Sequence, residues 1–312
     1  MKLIAIMSTY NGEKFIAEQL DSLLSQSHPL DWIIVRDDGS TDRTPDILEQ
    51  YSQKYPAIIE KVIDNLGNLG LKSSYFKLLT HALEKNPDYL LYTDQDDVWL
   101  PDKIERLLGK IQVLDSSRPA LVFSDARVVD QHLQETSSSV ARFQKFHPVP
   151  CPPSLKSLLL HCPILACTMM LNAKLHALMV REHNALLNPD KWALIVATIA
   201  GNVSYLDEPT LLYRQHSANA LGMRGGIRRK WFDPENRRFL RQRYQEAVDE
   251  ARYLLTLSLP FSHDEQKQIN DFIHLFTTNI FARIANYFKF CLTPPHWKRK
   301  MGLLLSLFFR YQ

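Results

Sequence analysis

Tyr89-Leu90-Leu91-Tyr92-Thr93-Asp94-Gln95-Asp96-Asp97 decides how the chain is read: a short apolar run ends abruptly in three carboxylates within four residues. An apolar run of this length, bounded by polar loop residues, predicts a buried strand. The acidic tail then lies where that strand stops. Three neighbouring carboxylates repel one another, and they stay ionised in a folded loop only when a cation or solvent offsets the charge. Magnesium and manganese prefer oxygen ligands, and magnesium is commonly held by one or two carboxylates together with phosphates. The bland alternative is a solvated acidic turn that caps a helix beginning at Pro101.

Working outward, the same grammar recurs upstream. Residues 3–7, 31–36, 58–63, 89–93 and 120–124 read as strands, and 13–25, 43–51, 71–84 and 101–114 as helices. Phe15, Ile16, Gln19, Leu20, Leu23 and Leu24 put a mostly apolar stripe on the first helix. Strand–helix alternation predicts an α/β fold with a mostly parallel central sheet. In such sheets ligands bind beyond the carboxyl ends of the strands. Polar motifs follow four of the strands: Ser8-Thr9-Tyr10-Asn11-Gly12, Asp37-Asp38-Gly39-Ser40-Thr41-Asp42, Asn65-Leu66-Gly67-Asn68-Leu69-Gly70, and the acidic loop itself. In the second motif Ser40 or Thr41 is expected to cap the next helix. A carboxylate there can also accept a hydrogen bond from the N3–H of uracil or thymine.

Residues 125–163 read as a long connection, and 164–207 as strand, helix, helix, strand. Beyond Gly222 a basic linker (224–238) leads to helices near 234–257, 264–289 and 296–310. The expected organisation is a catalytic domain over 1–222, with halves 1–125 and 126–222, and a basic helical region over 223–312. Overall net charge is only +3, but residues 214–312 carry a net +9 against −6 for the rest. A basic rear suggests an anionic partner. No nucleic-acid module accompanies it, which argues against that class. The four cysteines form no CxxC pair, and free thiols in a reducing compartment are expected. No secretory leader is legible after Met1, and the apolar stretch 302–309 is far short of the ~20 residues that span a bilayer. The expectation is a cytoplasmic protein. Lys298-Arg299-Lys300 beside that stretch fits peripheral contact with the inner face of the plasma membrane through 295–312, with an ordinary docking helix or an oligomer contact as the alternatives.

Taken in order and spacing, Ser8 to Gly12, Asp37 to Asp42, Asn68-Leu69-Gly70 and Asp94-Gln95-Asp96-Asp97-Val98-Trp99 resemble glycosyltransferase family 2. That family has the GT-A fold, a nucleotide-sugar-binding α/β domain. Tyr213-Arg214-Gln215-His216, with Ala218-Asn219 and Gly222, is similar to the end of the domain in bacterial rhamnosyltransferases of cell-wall polysaccharide synthesis. The resemblance covers about residues 1–130 and 163–222. It implies an inverting transferase, with a nucleotide-diphosphate sugar donor (dTDP-rhamnose favoured, a UDP-hexose the alternative), a lipid-linked glycan acceptor and a divalent Mg2+ or Mn2+. A non-catalytic sugar-binding module on the same scaffold is the rival reading. By the resemblance Tyr10 and Asp38 contact the base with Ser8 beside them, Asn68 and Asp94 join the nucleotide site, and Asp94, Asp96, Asp97 and His216 serve the metal. Asp190 in Pro189-Asp190-Lys191-Trp192 matches the general base, although the histidine and first tryptophan of the subgroup's His-Asp-Trp-Trp are absent. Leu165-Ala166-Cys167-Thr168 replaces the subgroup's smaller, glycine-rich sequence.

Overall fold

The computed structural model describes residues 1–144, 151–162, 164–182, 188–216, 234–290, 304, 307 and 308. Its strands are β1 (Leu3–Thr9), β2 (Trp32–Asp37), β3 (Ile59–Lys61), β4 (Tyr89–Thr93), β5 (Val98–Trp99), β6 (Ala120–Val129), β7 (Glu135–Ser137), β8 (Met169–Asn172) and β9 (Asn202–Arg214). Its helices are α1 (Ile16–Leu24), α2 (Thr44–Lys54), α3 (Gly70–Leu83), α4 (Lys103–Ile111), α5 (Val140–Phe143), α6 (Leu155–Leu160), α7 (Ala173–Arg181), α8 (Pro189–Ala200), α9 (Pro234–Leu254), α10 (His263–Thr277) and α11 (Ile280–Phe290), with a 3-10 turn at Ala166–Thr168. The chain divides into two compact units, Met1–Pro152 with Pro163–Gly222, and Pro153–Cys162 with Met223–Gln312.

In the first unit the expected α/β fold is present. The strand order is β3-β2-β1-β4-β8-β6-β9-β5, with β7 paired to β6. The first four strands are parallel, Ile4 facing Trp32 on one side of β1 and Leu90 on the other. Leu3, Ile4, Ala5, Ile6 and Met7 are all buried. Such an unbroken apolar run suits a central strand covered on both faces. β8 runs antiparallel to both β4 and β6, and β6 and β9 are parallel again. Ile104, Leu107, Leu108 and Ile111 recur at helical spacing on α4 and are all buried. Burial of each stabilises by roughly 1.5–3 kcal/mol.

Several sequence expectations are corrected. The long connection over 125–163 is partly regular: β6 continues to Val129 and turns back through β7, and α5 and α6 follow. Asp125 organises this segment, accepting from the backbone N–H groups of Ala126 at 2.8 Å and Val140 at 3.0 Å. The cap of α2 is supplied by neither Ser40 nor Thr41. Asp42 Oδ1 instead accepts from Thr44 N at 2.9 Å, while Ser40 turns toward Asp37. The single helix expected over 264–289 is two. Thr278 is extended (ψ −178°), and the Asn279 side chain accepts from Ala282 N at 3.0 Å to start α11. Residues 218, 219 and 222, positions 224–233 of the basic linker expected over 224–238, and all of 295–312 except 304, 307 and 308 lie outside the described residues, while positions 234–238 of that linker belong to α9.

The second unit holds α6, α9, α10 and α11. Ser262 and Glu265 form a reciprocal capping box at the start of α10. Ile269, Phe272, Leu275 and Phe276 make that helix's buried face, and Tyr244 of α9 stacks on Phe276 at 5.4 Å. Among the described residues no helix is long and apolar enough to cross a membrane.

Candidate active site

A cavity of ≈ 380 Å³ opens in the first unit at the carboxyl ends of β1, β2 and β4. Seven of the nine nominated residues line it: Ser8, Tyr10, Asp38, Asn68, Asp94, Asp96 and Asp190. Asp97, the last residue of the acidic loop, and His216, bonded to that loop, are not among the lining residues. His216 Nε2 lies 2.8 Å from Asp96 Oδ2, and its ring packs on Phe15 at 4.8 Å. Asp97 is fully buried, and its Oδ1 accepts from Arg214 N at 3.1 Å.

The loops after β1 and β2 are laced together by short polar side chains. Asn11 takes a positive φ of 50°, a conformation asparagine tolerates. Its N–H donates to Ser40 Oγ at 2.8 Å, and its Oδ1 accepts from Thr41 N at 2.8 Å. Tyr10 is thereby held at the cavity mouth, 49% exposed. Gln95 ties this platform to the acidic loop: its Oε1 accepts from Tyr10 N at 2.9 Å and its Nε2 donates to Tyr10 O at 3.0 Å. A Cβ at position 12 would stand 2.3 Å from Gln95 Oε1, so a side chain there would push the Gln95 amide out of its present place.

Under the Tyr10 and Asp38 side of the cavity lies a buried charge network that the sequence reading did not anticipate. Arg36, at the end of β2, is fully buried. It donates to Asp38 Oδ1, to Asp64 at 2.8 and 3.2 Å, to Ser74 Oγ at 3.1 Å and to the Gly67 carbonyl at 2.9 Å. Burial disfavours the guanidinium charge, but the carboxylates of Asp64 and Asp38 outweigh it and raise the pKa. Asp38 also accepts from Leu69 N and Gly70 N, each at 2.8 Å. Asp38 is only 3% exposed, so it shapes the loop bearing Asn68 and Gly70 as well as facing the cavity. Gly39 (φ +83°) packs its Cα within reach of that loop; a Cβ there would meet Asn68 N at 3.3 Å.

The acidic loop is held from behind. Arg214 donates from Nε to the Asp96 carbonyl at 2.7 Å, and its guanidinium also pairs with Glu18. Burial, followed by the charge of Asp96, pushes the Asp94 carboxyl up to about 6, while the Tyr75 hydroxyl, 3.1 Å away, acts in the opposite direction. Asp190 adds to the same upward push. Burial also drives the Asp97 carboxyl and the Cys167 thiol well above their ordinary values. Lys103, fully buried, donates to the Cys167 carbonyl and sits 4.3 Å from the Trp99 ring centroid. Burial pulls its ammonium down to about 8.

Asp190 is the second residue of α8, where a carboxylate is favoured by the helix dipole. Its Oδ1 accepts from Lys191 N at 2.7 Å. The following Trp192 is fully buried and anchors the helix, with Nε1 donating to Met179 O at 3.3 Å. Leu165 and Ala166, where the expected glycines are absent, line the cavity beside Leu71, Tyr75 and Tyr213.

The donor set fits a hard divalent cation. Asp94 and Asp96 offer carboxylate oxygens on the cavity wall, and Asp97 Oδ2 is buried with no hydrogen-bond partner. Asp94, Asp97 and Cys167 place one ligand atom each within 4.8 Å of one another. Oxygen-rich donors of this kind suit magnesium or manganese.

The family model described as "Glycosyl transferase family 2" matches residues 4–171. The dTDP-rhamnosyl transferase RfbG of Shigella flexneri is 29% identical over 247 residues, which span 73% of this chain and 81% of that protein. The putative glycosyltransferase EpsE of Bacillus subtilis is 39% identical over 111 residues, 36% of this chain and 38% of the relative. Among solved structures, the mannosyltransferase PcManGT from Pyrobaculum calidifontis, in complex with GDP-Man and Mn2+, aligns with a TM-score of 0.55 at 18% identity, covering 98% of this chain and 81% of that one. S. aureus TarS in complex with UDP-GlcNAc aligns with a TM-score of 0.54 at 16% identity, covering 98% and 80%. At these identities the likeness is one of fold.

Proposed function

The chain belongs to glycosyl transferase family 2, and from that premise we propose that it moves L-rhamnose from dTDP-rhamnose, with inversion, onto a hydroxyl of a lipid-linked cell-surface glycan precursor in the cytoplasm. The observation that carries the reading is one cavity whose lining includes both the acidic pair Asp94 and Asp96 and the α8 carboxylate Asp190. An inverting displacement needs those two groups around one substrate. The acceptor hydroxyl attacks the anomeric carbon from the face opposite the diphosphate. The new C–O bond forms as the bond to the diphosphate breaks, and the hydroxyl proton passes to Asp190.

Tyr10 and Asp38, with Ser8 and Asn68 beside them, orient the nucleotide. Asp94 and Asp96, with His216 hydrogen-bonded to Asp96, would hold a divalent cation that supplies positive charge to the departing diphosphate. Rhamnose is favoured on two grounds. The relative RfbG is described as a dTDP-rhamnosyl transferase. The cavity lining includes Leu71, Leu165, Ala166 and Pro189, against which a methyl packs while a hydroxymethyl would lose its hydrogen bonds.

The test is a panel of dTDP-rhamnose, UDP-glucose, UDP-N-acetylglucosamine and GDP-mannose, offered with membrane-extracted lipid-linked acceptors and read by mass spectrometry. A deoxyhexose increment from dTDP-rhamnose alone is the expected result. A hexose or N-acetylhexosamine increment overturns the donor assignment. Tight donor binding without hydrolysis or transfer turns the reading into that of a binding module.

A further inference from the structure

Helix α1 begins on a residue that does not suit its place. Phe15 is the N-cap, where a serine, threonine, asparagine or aspartate would accept from a free N–H of the first turn, and the Phe15 side chain makes no capping bond. Its own N–H donates to Gly12 O at 3.0 Å, which ties it to the loop that carries Tyr10. The ring turns instead to the end of β9. The Arg214 guanidinium lies 4.6 Å from the ring centroid, and the His216 ring 4.8 Å from it. Arg214 ends β9, and Gln215 continues the pairing by donating to Val129 O at 2.8 Å, so 214 and 216 fall on one side of the chain.

A half-buried aromatic contact is ordinary packing; this one differs in what its neighbours hold. Arg214 is buried and donates to the carbonyls of Asp96 at 2.7 Å and Gln131 at 3.0 Å. It also pairs with Glu18, three residues beyond Phe15 on the same helix face. His216 Nε2 stands 2.8 Å from Asp96 Oδ2. Asp96 is thus gripped twice, at its carbonyl by Arg214 and at its carboxylate by His216, and one ring touches both grips. Phe15 is absent from the cavity lining, so it acts on the site through these neighbours. We propose that Phe15 is a positioning residue: held by the anchored Arg214, its ring sets the pose of His216, and through His216 the carboxylate that Asp96 presents to a divalent cation beside a nucleotide diphosphate. This role rests on Asp96 and His216 serving a cation, as proposed above.

The test is manganese binding to the full chain with saturating dTDP, read from the paramagnetic resonance of the free ion. The affinity for dTDP alone is measured by calorimetry in chelator on the same preparations. Phe15→Leu keeps apolar bulk and caps the helix no better, but it removes both aromatic contacts. Manganese should bind this variant about tenfold more weakly, with metal-free dTDP affinity within about twofold of wild type. Phe15→Tyr keeps the ring and should bind manganese as wild type does. Added to His216→Ala, the leucine change should cost about threefold or less, because the group it acts through is gone. A leucine variant that binds manganese as wild type does, or full additivity with His216→Ala, overturns the proposal. So does an equal loss of metal-free dTDP affinity, the mark of a packing role alone, or a tyrosine variant as weak as the leucine one. Wild type that binds no manganese beside dTDP is a different failure: it removes the cation-serving reading of Asp96 and His216, and the role of Phe15 with it.

Discussion

Replacing Arg36 by methionine keeps most of the stem's volume and removes the guanidinium. The structure sets the size of the effect. Asp38 loses its cationic donor but keeps the N–H groups of Leu69 and Gly70; the Gly67 carbonyl loses the bond from Arg36. Asp64 is partly solvated, its side chain 21% exposed, so water relieves much of its loss. Asp38 at 3% exposure has no such relief. Breaking a buried ion pair by deleting one partner destabilises by about 3–5 kcal/mol, and the surviving backbone donors put this case near the lower end, about 3 kcal/mol. That is a large share of the roughly 5–15 kcal/mol by which native proteins are stable. Urea unfolding of wild type, Arg36→Met, and Arg36→Met combined with Asp38→Asn reads it directly. The double variant, with no charge left unpaired at position 38, should recover on the order of 1 kcal/mol or more. Nucleotide-diphosphate binding should weaken in the single variant, because Asn68 and Gly70 sit on the loop that Asp38 holds. A loss below about 1 kcal/mol, or no recovery in the double variant, refutes the view that this network supports the Tyr10 and Asp38 side of the cavity.

Two further predictions concern the acidic loop. Gln95→Glu keeps the acceptor for Tyr10 N, loses the donor to Tyr10 O and adds a carboxylate; the donor-sugar KM should rise by on the order of tenfold with kcat nearly unchanged. An unchanged KM would show that the tie to Tyr10 has no part in donor binding. Lys103, with its ammonium pulled down to about 8 from 10.5, binds its proton less tightly folded than unfolded. Between those values the unfolded chain holds more protons, so stability from this group rises with pH, by about 2 kcal/mol between pH 8 and 10. Lys103→Met should abolish that increment in urea unfolding at the two pH values. The same slope in wild type and variant contradicts a weakened hold of Lys103 on its proton in the folded protein.

The fold was largely legible because its central strands are uniform. Residues 3–7 and 89–93 are apolar on both faces, and the polar motifs stand at their carboxyl ends. β5, two residues long, and β7, three, were not legible, since so short a run has no periodicity of its own and forms by pairing with β9 and β6. The nominated site residues came from loop motifs, whereas Arg36, Arg214 and Lys103 were missed as supports. Each is a lone cation in or beside an apolar run, and what it does depends largely on partners 28 to 196 residues away. The signal that could have found them is the mismatch itself, because a charge at a buried strand position requires a partner. Asp97 illustrates the converse: the motif offers three carboxylates alike, and only the fold turns one of them away from the cavity.

In the proposed reaction, one cavity unites the group that receives the acceptor's proton with those that serve the leaving diphosphate. Asp190→Asn tests it most directly, with single-turnover transfer from dTDP-rhamnose and calorimetric binding of dTDP measured on the same preparation. Transfer should fall by about 10²–10⁴-fold with dTDP affinity within about twofold of wild type. A variant that transfers at the wild-type rate would contradict the claim.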